Sequence, residues 1–576
     1  MRKLLITPLV LLITGFIYSQ ETKPDTLKTE EIIVIKPYTP SISDAFKVKS
    51  NPVIEDSNEI QREKVSYSIF SFPVASTFSP SKGKAKSVVK DPKERLFENY
   101  ISAGFGNFTS PLFEAYIHTG DAKYNDFGIF AYHHSSEGGI KDLLLNDNYS
   151  DTRVDLYYKQ FDKYMNWQLN AGFHSKQYNY YGLPSDVIFN QDVIDAIDEE
   201  QVYKSFYAGG KISLEDSFFQ GASAELVNFS DNYDSNELQL LIKPTFEFPI
   251  STELINSEFS IDVLSGKFNR NYFTEDKVKH SFLNLGFNPN FEVLRDNLTV
   301  NLGAKLYYSS DLDNKTNSFY AYPNVFASLK VVDDVFILVA GATGDLLQNT
   351  YREFANENPF VSPTLDIQIT DKQYKAFIGA KGKLASNVSY NLNLSHTNEK
   401  NKPLFTQNEI MTDGTFIVSN AYQAGNSFDI IYDDIKTLSF FGELNIEASK
   451  EFNFGGSIAY SNYTPSSETE AWNLPTIKAT VSADYQNNNW FAGSKLFFNG
   501  QTKDLIKPFS ASSASPVIIK NDSYIDLNFH GGYNFSDRLT AFGKINNALG
   551  KKYNTFVNYQ VQSLQVLAGI TYKFDF

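Results

Sequence analysis

The sequence predicts an all-β protein: a transmembrane antiparallel β-barrel of about 22 strands, with a short irregular segment at its amino terminus. Three observations support this prediction. The chain ends in a long strand with one apolar face, segments of similar alternation follow one another from residue 97 onward, and the connections between these segments are alternately short and long. Together these features are typical of a barrel that crosses an outer membrane.

The last segment of the chain, Ser563 to Phe576, carries an apolar or aromatic residue at every even position. The odd positions are polar or small, with Leu567 as the exception. This period of two indicates a strand, and the segment exceeds the ~9–11 residues that a tilted strand needs to cross a bilayer. An edge strand of a large secreted sandwich is the alternative. We expect four residues to form the signal recognised by the barrel-assembly machinery: Gly569, Tyr572, Phe574 and Phe576.

The composition separates a barrel from other classes of protein. The mean hydropathy is −0.31, and no stretch after the amino terminus approaches the ~18 consecutive apolar residues of a membrane-spanning helix. Aromatic residues make up 15% of the chain, which fits strands and the interfacial girdles of a barrel in contact with outer-membrane lipid. The net charge of −16 argues against a nucleic-acid partner. The absence of cysteine excludes disulfides, thiolate metal sites and an amino-terminal lipid anchor on cysteine.

The first twenty residues have the pattern of a cleaved signal peptide. Arg2 and Lys3 precede an apolar core from Leu4 to Ile17, and the small residue Ser19 follows. The apolar core is too short for a spanning helix, so we assign 1–20 to the signal peptide and expect the mature protein to be exported.

Residues 21–96 are polar, contain many Pro, Ser and Lys residues, and show neither a helical period nor sustained alternation. We interpret them as an extended, largely loop-like periplasmic segment. It contains one short β-prone run: Glu30, Glu31, Ile32, Ile33, Val34 and Ile35. Such a run can pair with an exposed strand of a partner by edge addition. The alternative is an ordinary strand or a loop without a partner.

Residues 97–576 are predicted to form the barrel. In one of its segments, Leu298, Val300 and Leu302 alternate with polar or small residues. In water such an apolar face needs a second sheet to cover it, whereas in lipid it needs none. About 22 segments of this kind follow one another, which lies in the upper range of single-chain barrels.

The connections between these segments are sorted by length. Tight joints follow the even-numbered segments, for example near Lys163, Asp216, Asp296, Asp333 and Ser536. Long connections follow many of the odd-numbered segments: 138–151, 183–202, 351–372, 401–425, 466–474 and 506–522. In outer-membrane barrels the rim with short turns is periplasmic and the long loops face outward. An even number of strands then places both termini on the periplasmic side.

No catalytic or metal-binding constellation stands out, so we predict neither an enzyme nor a cofactor. The histidines have no metal-ligand spacing, and no Gly-x-Ser-x-Gly elbow is present. A Ser/His pair in the barrel wall remains an enzymatic alternative, since His396 follows Ser395. The acidic stretches 146–151 and 191–200 carry oxygens that hard cations prefer, but solvated acidic loops are the favoured interpretation.

Several motifs occur in a recognisable order. Asn358 to Pro363 reads Asn-Pro-Phe-Val-Ser-Pro, Leu474 to Lys478 reads Leu-Pro-Thr-Ile-Lys, Asn546 to Tyr553 reads Asn-Asn-Ala-Leu-Gly-Lys-Lys-Tyr, and Gly569 to Phe574 reads Gly-Ile-Thr-Tyr-Lys-Phe. This series resembles a mid-barrel loop and the closing strands of TonB-dependent outer-membrane receptors. The resemblance implies a 22-stranded barrel in the Gram-negative outer membrane that takes up a ligand.

The amino-terminal segment departs from that family, because residues 21–96 lack the Pro-Gly-Val, Arg-Gly and Asp-Gly-Val motifs of the family's plug domain. Glu30 to Ile35 is similar to the short box that a TonB-type energy-transducing protein captures. Pro37 to Asp44 loosely resembles the beginning of a plug. The resemblance therefore implies a receptor with a reduced plug. The sequence does not identify the ligand, and a surface lipoprotein is a further candidate partner. A non-transporting structural or assembly barrel and a passive porin are the alternatives.

Overall fold

The computed structural model of the protein describes residues 97–121, 124–250, 253–509 and 515–576. These residues form a closed antiparallel β-barrel of 22 strands, as the sequence predicts. The predicted signal peptide, the segment 21–96 and the run from Glu30 to Ile35 lie outside the described residues, so the proposed domain boundaries remain predictions. No helix in the described ranges has the length and apolar character required to cross a membrane.

The described part of the chain contains the following strands: β1 (Asn99–Gly106), β2 (Ser110–Asp121), β3 (Asn125–Ser136), β4 (Tyr149–Phe161), β5 (Met165–Asn179), β6 (Glu200–Leu214), β7 (Phe219–Ser230), β8 (Asn236–Ile250), β9 (Glu253–Phe268), β10 (Val278–Arg295), β11 (Leu298–Asp311), β12 (Thr316–Val332), β13 (Phe336–Gln348), β14 (Ile369–Ala385), β15 (Val388–Gln407), β16 (Phe428–Glu447), β17 (Phe452–Pro465), β18 (Ile477–Gln486), β19 (Trp490–Asn499), β20 (Thr502–Ile506), β21 (Val517–Asn521), β22 (Tyr524–Asn534), β23 (Leu539–Asn546), β24 (Asn554–Phe556), β25 (Tyr559–Gln560) and β26 (Gln565–Phe574). Two α-helices, α1 (Gln191–Asp195) and α2 (Tyr351–Glu357), and a 3₁₀ turn (Ala421–Gln423) lie in the connections.

Strands β20 and β21 form a separate two-stranded sheet, as do β24 and β25, and the other strands form the barrel. Each barrel strand pairs antiparallel with the next one along the chain, and β1 closes the ring by pairing with β26. At this seam Asn99 lies opposite Phe574, and Gly104 lies opposite Gly569. Closure pairs the backbone groups of both terminal strands, which a sheet surrounded by lipid requires.

The alternation seen in the sequence separates the two faces of the wall. On β26, Val566, Ile570 and Tyr572 are exposed on the outer surface, while the odd-numbered residues between them are only partly exposed. The same outward exposure occurs at Leu302 on β11 and at Leu156 on β4. The period-of-two prediction is therefore confirmed. The last strand is shorter than predicted, Gln565–Phe574 rather than Ser563–Phe576, and its 10 residues still suffice to cross a bilayer.

The sorting of connections by length is also confirmed. The connections after β4, β6, β10, β12 and β22 are tight turns. The opposite rim carries long connections, including 137–148, 180–199, 349–368, 408–427 and 500–523. By the rule for outer-membrane barrels, the short-turn rim is periplasmic and the long loops face the outside.

Candidate functional site: a cap formed by the long loops

Five connections of the long-loop rim pack against one another, and we call them the cap: 180–199, 269–277, 349–368, 408–427 and 547–564. Residues Phe189, Val193, Ile197, Ala421 and Ala424 of the cap form a smaller hydrophobic cluster with Leu145. The larger hydrophobic cluster joins all five connections and the adjoining strand ends. Its buried members are Tyr180, Tyr203, Phe229, Leu264, Phe268, Tyr272, Phe282, Tyr351, Phe354, Ala355, Phe360, Val361, Leu365, Ile367, Phe405, Tyr422, Phe428, Ile430 and Tyr559. The described loops on this rim are therefore held together by a core of their own.

Loops from distant parts of the wall meet in the cap. The side-chain amide of Asn426 donates a hydrogen bond of 2.6 Å to the carbonyl oxygen of Tyr180. Asn426 precedes β16 and Tyr180 follows β5, and these strands are about half the circumference apart in a ring of 22 strands. The hydroxyl of Tyr180 then donates to the carbonyl oxygen of Val361 at 2.8 Å. The cap therefore spans the mouth of the barrel.

Aromatic contacts attach the connection 547–564 to the other loops of the cap. The ring of Tyr559 stacks on that of Phe360 with a centroid distance of 3.5 Å, and Tyr181 meets Tyr559 edge-on at 4.9 Å. The Tyr559 hydroxyl donates a hydrogen bond to the carbonyl oxygen of Asn426. Burial raises the pKa of Tyr559 and of Tyr180 well above the ordinary value, so both hydroxyls remain protonated donors.

Helix α2 is fixed at its amino-terminal end. The side chain of Thr350 caps it by accepting a hydrogen bond of 3.1 Å from the backbone N–H of Glu353. The buried carboxylate of Glu237, on β8, accepts hydrogen bonds from the backbone N–H groups of Tyr351 at 2.8 Å and Arg352 at 3.3 Å. A negative charge at this end of a helix complements its partial positive charge.

Two further polar groups attach the start of α2 to the wall. The ring nitrogen Nε2 of His280, on β10, lies 3.3 Å from Oε2 of Glu237, and both side chains are buried. The hydroxyl of Tyr351 donates to Oδ2 of Asp231 at 2.8 Å. Burial raises the pKa of the Asp231 carboxyl, while backbone N–H groups of Tyr233 and Ser235 donate to its other oxygen.

The small sheet of β20 and β21 supports the cap from its side. Oδ1 of the buried Asp504 accepts hydrogen bonds from the backbone N–H groups of Leu505 at 2.7 Å and Gln407 at 3.2 Å. The carbonyl oxygen of Lys507 accepts from the N–H of Ile410 at 3.1 Å. Burial raises the pKa of Asp504 from 3.8 to about 6, because the charged form is poorly solvated there.

Below the cap, tyrosine hydroxyls and carboxylates pair along the inner wall. Tyr307 donates to Asp345 at 2.7 Å, and Tyr322 donates to Asp371 at 2.9 Å. Such pairs present polar groups to the lumen on the face opposite the apolar outer surface. A polar inner wall is expected where the lumen is filled with water or with a polar segment.

The structure places the predicted assembly signal at the barrel seam. Tyr572, Phe574 and Phe576 form a row of aromatic rings near the short-turn rim. Gly569 lies between Gly104 of β1 and Phe542 of β23. Recognition by the assembly machinery remains a prediction for all four residues, as does capture of the run from Glu30 to Ile35 by an energy-transducing partner.

The two acidic loop stretches meet each other. The side-chain amide of Asn146 donates to Oε1 of Glu199 at 2.7 Å, and Oδ2 of Asp147 accepts from the backbone N–H of Ile140 at 2.9 Å. In the described ranges no three His, Asp or Glu residues are grouped so that they could hold a metal ion. Ser395 is buried and its strand neighbour His396 is exposed, because adjacent residues of a strand point to opposite faces.

The cap itself was not anticipated from the sequence. Its members occur in loops, where neither alternation nor helical periodicity marks a buried residue. The available sign was the density of aromatic and apolar residues in segments that are otherwise rich in Asn, Pro and Gly, such as 178–183 and 358–367.

Comparison with known proteins shows similarity at the level of structure alone. No protein-family model matches the sequence, and no curated protein matches it either. The siderophore receptor PirA from Acinetobacter baumannii superimposes with a TM-score of 0.60 at 12% identity, covering 83% of this chain and 80% of the receptor. The ferripyoverdine receptor of the outer membrane of Pseudomonas aeruginosa gives 0.58 at 11%, covering 84% and 72%.

The copper transporter OprC gives a TM-score of 0.58 at 12% identity, covering 84% of this chain and 81% of the transporter. At these identities the likeness establishes the fold. The resemblance to outer-membrane receptors that the motifs indicated is confirmed at that level. The closed barrel, with its apolar outer surface and sorted loops, is an outer-membrane barrel.

Proposed function

We propose that the protein is an outer-membrane receptor and transporter of the TonB-dependent type, which binds a ligand at the cap and passes it through the barrel. The observation that carries the proposal is the cap, in which loops from opposite sides of the wall share one hydrophobic core. A passive porin needs an open mouth, and the cap argues against one. The similar structures include siderophore receptors and a copper transporter, which supports transport without identifying the ligand of this chain.

The wall and the cap differ in their capacity to move. Charged residues on the lipid face would cost roughly 2–4 kcal/mol each at mid-bilayer, so the wall keeps one orientation in the membrane. The cap is joined to the wall through side-chain contacts such as Glu237 with Tyr351. Loops held in this way open at a lower free energy than the whole barrel unfolds. Ligand entry would then require the cap to open.

Energy coupling is the second part of the proposal. The run from Glu30 to Ile35 would add as a strand to an energy-transducing partner, because an extended β-prone run supplies both backbone hydrogen bonds and alternating side chains. Force on this run would act on whatever fills the lumen. A 22-stranded wall encloses a lumen that is normally plugged, and we propose that residues 21–96 serve as the reduced plug.

Single-channel conductance in planar bilayers tests the gating role of the cap. We expect the full-length protein to stay closed, and a variant whose connection 349–368 is replaced by a short Gly/Ser linker, in a background lacking residues 21–96, to conduct steadily. The matched control replaces 466–476 in the same background, a connection of the same rim whose buried Trp472 packs on Leu404 and Ile435 rather than in the cap's cluster, and it should conduct less. Large steady currents from the unmodified protein would refute the receptor proposal in favour of a porin or scaffold.

Energy coupling is tested by uptake. Scrambling residues 30–35 should abolish growth on any nutrient whose uptake requires this protein, whereas scrambling 65–70, a similar β-prone run in the same segment, should leave it intact. If the two scrambles behaved alike, coupling through 30–35 would be wrong. Stoichiometric co-purification of an envelope protein, without any ligand-dependent change, would support the scaffold alternative instead.

A further inference from the structure

A basic pocket of about 160 Å³ lies between helix α2 and the inner face of the neighbouring wall. Its basic lining residues are Arg153, His174, Lys176 and Arg352, and its lining, drawn from the described residues, contains no Asp or Glu. The chain as a whole has a net charge of −16. A pocket lined by basic side chains and by no carboxylate therefore contrasts with the acidic composition of the chain.

The register of the wall brings three of these side chains together. Arg153 on β4 lies opposite His174 on β5, which lies opposite Ser205 on β6. Lys176 is two residues from His174, so both side chains are on the same face of β5. The wall thus presents the three basic residues at nearly one level of the lumen.

Helix α2 supplies the opposite side of the pocket. Arg352 and Asn356 are one turn apart on the helix, so they share a face. The ammonium of Lys176 donates to Oδ1 of Asn356 at 2.9 Å, and Nη2 of Arg352 lies 3.4 Å from Oε1 of Gln239. Both of these partners are neutral amides that position the two cations, and the carboxylates that interact with them, Asp151 with Lys176 and Glu353 with Arg352, lie outside the pocket lining.

The other two basic residues are held by carboxylates. Nε of Arg153 lies 2.5 Å from Oδ2 of Asp155, and Nε2 of His174 lies 2.7 Å from Oδ1 of Asp151. These contacts orient the two side chains toward the pocket while the carboxylates stay outside its lining. The side chain of Arg153 is 51% exposed, so the pocket is accessible from the lumen.

We propose that this pocket binds an oxyanion, either a carboxylate or a phosphate group carried by the transported ligand. A planar guanidinium binds both groups through paired N–H donors, and a lysine ammonium adds a point charge. The volume fits one such group. Partial exclusion of water beneath the cap strengthens the attraction. The inference rests on the proposed function and deepens it, because it assigns a ligand class to the space directly under the cap.

The test is calorimetric titration of the purified full-length protein with citrate, with inorganic phosphate and with uncharged glucose. We expect saturable binding of at least one anion, weaker binding at higher salt, and no binding of glucose. Lys176→Gln and Arg352→Gln should each weaken anion binding about tenfold, since each removes one charged hydrogen-bond donor. The control Lys211→Gln removes a lysine of β6 that lies outside the pocket and should bind as the unmodified protein does.

The two anions distinguish the sources of the oxyanion, because citrate reports a carboxylate and phosphate reports a phosphoryl group. Equal binding by the control and both pocket variants, or no saturable binding of either anion, would overturn the inference. Using one variant in the wall and one in the helix separates loss of the site from misfolding of either element. Binding to the purified protein needs no energy coupling. If neither anion bound but uptake was intact, the proposed pocket would be wrong and the proposed transport function would still hold.

Discussion

The buried carboxylate of Glu237 accepts a hydrogen bond of 2.8 Å from the backbone N–H of Tyr351, the first residue of α2. The contact joins a wall strand to a loop helix that is more than a hundred residues away in the chain. Because the first N–H groups of a helix have no partner within it, a carboxylate at this position satisfies donors and complements the helix dipole. It links the rigid wall directly to the cap.

Replacing this carboxylate should loosen the cap without unfolding the barrel. In Glu237→Gln the charge is lost and an amide NH₂ faces backbone donors, which should cost about 1–3 kcal/mol of local stability. Hydrogen exchange of the backbone amides of 350–358 should then be faster by about tenfold or more. Glu225→Gln, which alters an exposed carboxylate of β7, serves as the control. Unchanged exchange in Glu237→Gln would show that the cap does not depend on this contact.

Because the pKa of the buried Asp504 is raised, we expect the cap to become more stable as the pH falls below neutral. Burial raises its pKa from 3.8 to about 6 in the folded protein, so between these values the folded state binds more protons than the unfolded state. The contribution of Asp504 to the free energy of unfolding therefore rises as the pH falls from about 7 to about 4. Between these two pH values this contribution changes by about 3 kcal/mol, since each unit of pKa shift corresponds to about 1.4 kcal/mol.

Because other carboxylates also titrate in this pH range, the effect of Asp504 is measured as the difference in stability between the unmodified protein and Asp504→Asn. Asp504→Asn should be more stable than the unmodified protein at pH 7.5, and the difference should vanish near pH 4. Oδ1 of the asparagine can still accept hydrogen bonds from the backbone N–H groups of Gln407 and Leu505. Hydrogen exchange of 408–427 at both pH values measures the effect. A pH-independent difference would contradict it.

The fold could be predicted from the sequence because its determinants are local. Along each wall strand the side chains point alternately to the lipid and to the lumen. The alternation at Leu298, Val300 and Leu302 therefore predicts a strand and its two faces without knowledge of the neighbouring strands. The lengths of the connections between such segments then show which rim is periplasmic and which faces outward. Neither step requires knowing which residues meet in space.

The site could not be predicted in this way because its contacts join distant segments. Tyr559 and Phe360 stack although their loops are far apart in sequence. The basic pocket arises from the register of β4, β5 and β6 and from the position of α2. Arg153 and Lys176, taken singly, look like ordinary polar residues of alternating strands. Only the ring of strands brings their charges together.

The seam between β23, β26 and β1 should not tolerate a side chain at Gly569. A Cβ there would lie 2.4 Å from the ring of Phe542 and 2.5 Å from the backbone oxygen of Ala103. The oxygen belongs to the strand that closes the barrel and cannot move freely. We expect Gly569→Ala to cost about 1–3 kcal/mol and to lower the fraction of heat-modifiable, folded barrel on a gel.

Gly543 provides the matched control for the seam. A Cβ at Gly543 would meet its nearest atom, the backbone oxygen of Leu567, at 3.8 Å, which is an ordinary contact. Gly543→Ala should therefore fold as well as the unmodified protein. If both alanine variants folded equally well, close packing at Gly569 would not be what restricts that position to glycine.

Recognition of the terminal aromatic residue can be separated from its contribution to stability. Phe576 is 86% exposed, and its ring meets that of Phe574 at a centroid distance of 5.6 Å. Removing so exposed a side chain should change folded-state stability by less than about 0.5 kcal/mol. If the assembly machinery reads this residue, Phe576→Ala should still lower the amount of protein in the outer membrane several-fold.

The control for this test is Phe535→Ala, which removes another exposed aromatic ring near the short-turn rim. Both variants lose a similar apolar surface, so a general effect of lipid contact would lower both membrane yields equally. A decrease confined to Phe576→Ala, with unchanged thermal stability of the assembled fraction, would place the effect in recognition before folding. Equal yields of the two variants would remove Phe576 from the assembly signal, because its exposed ring would then have no role that Phe535 lacks.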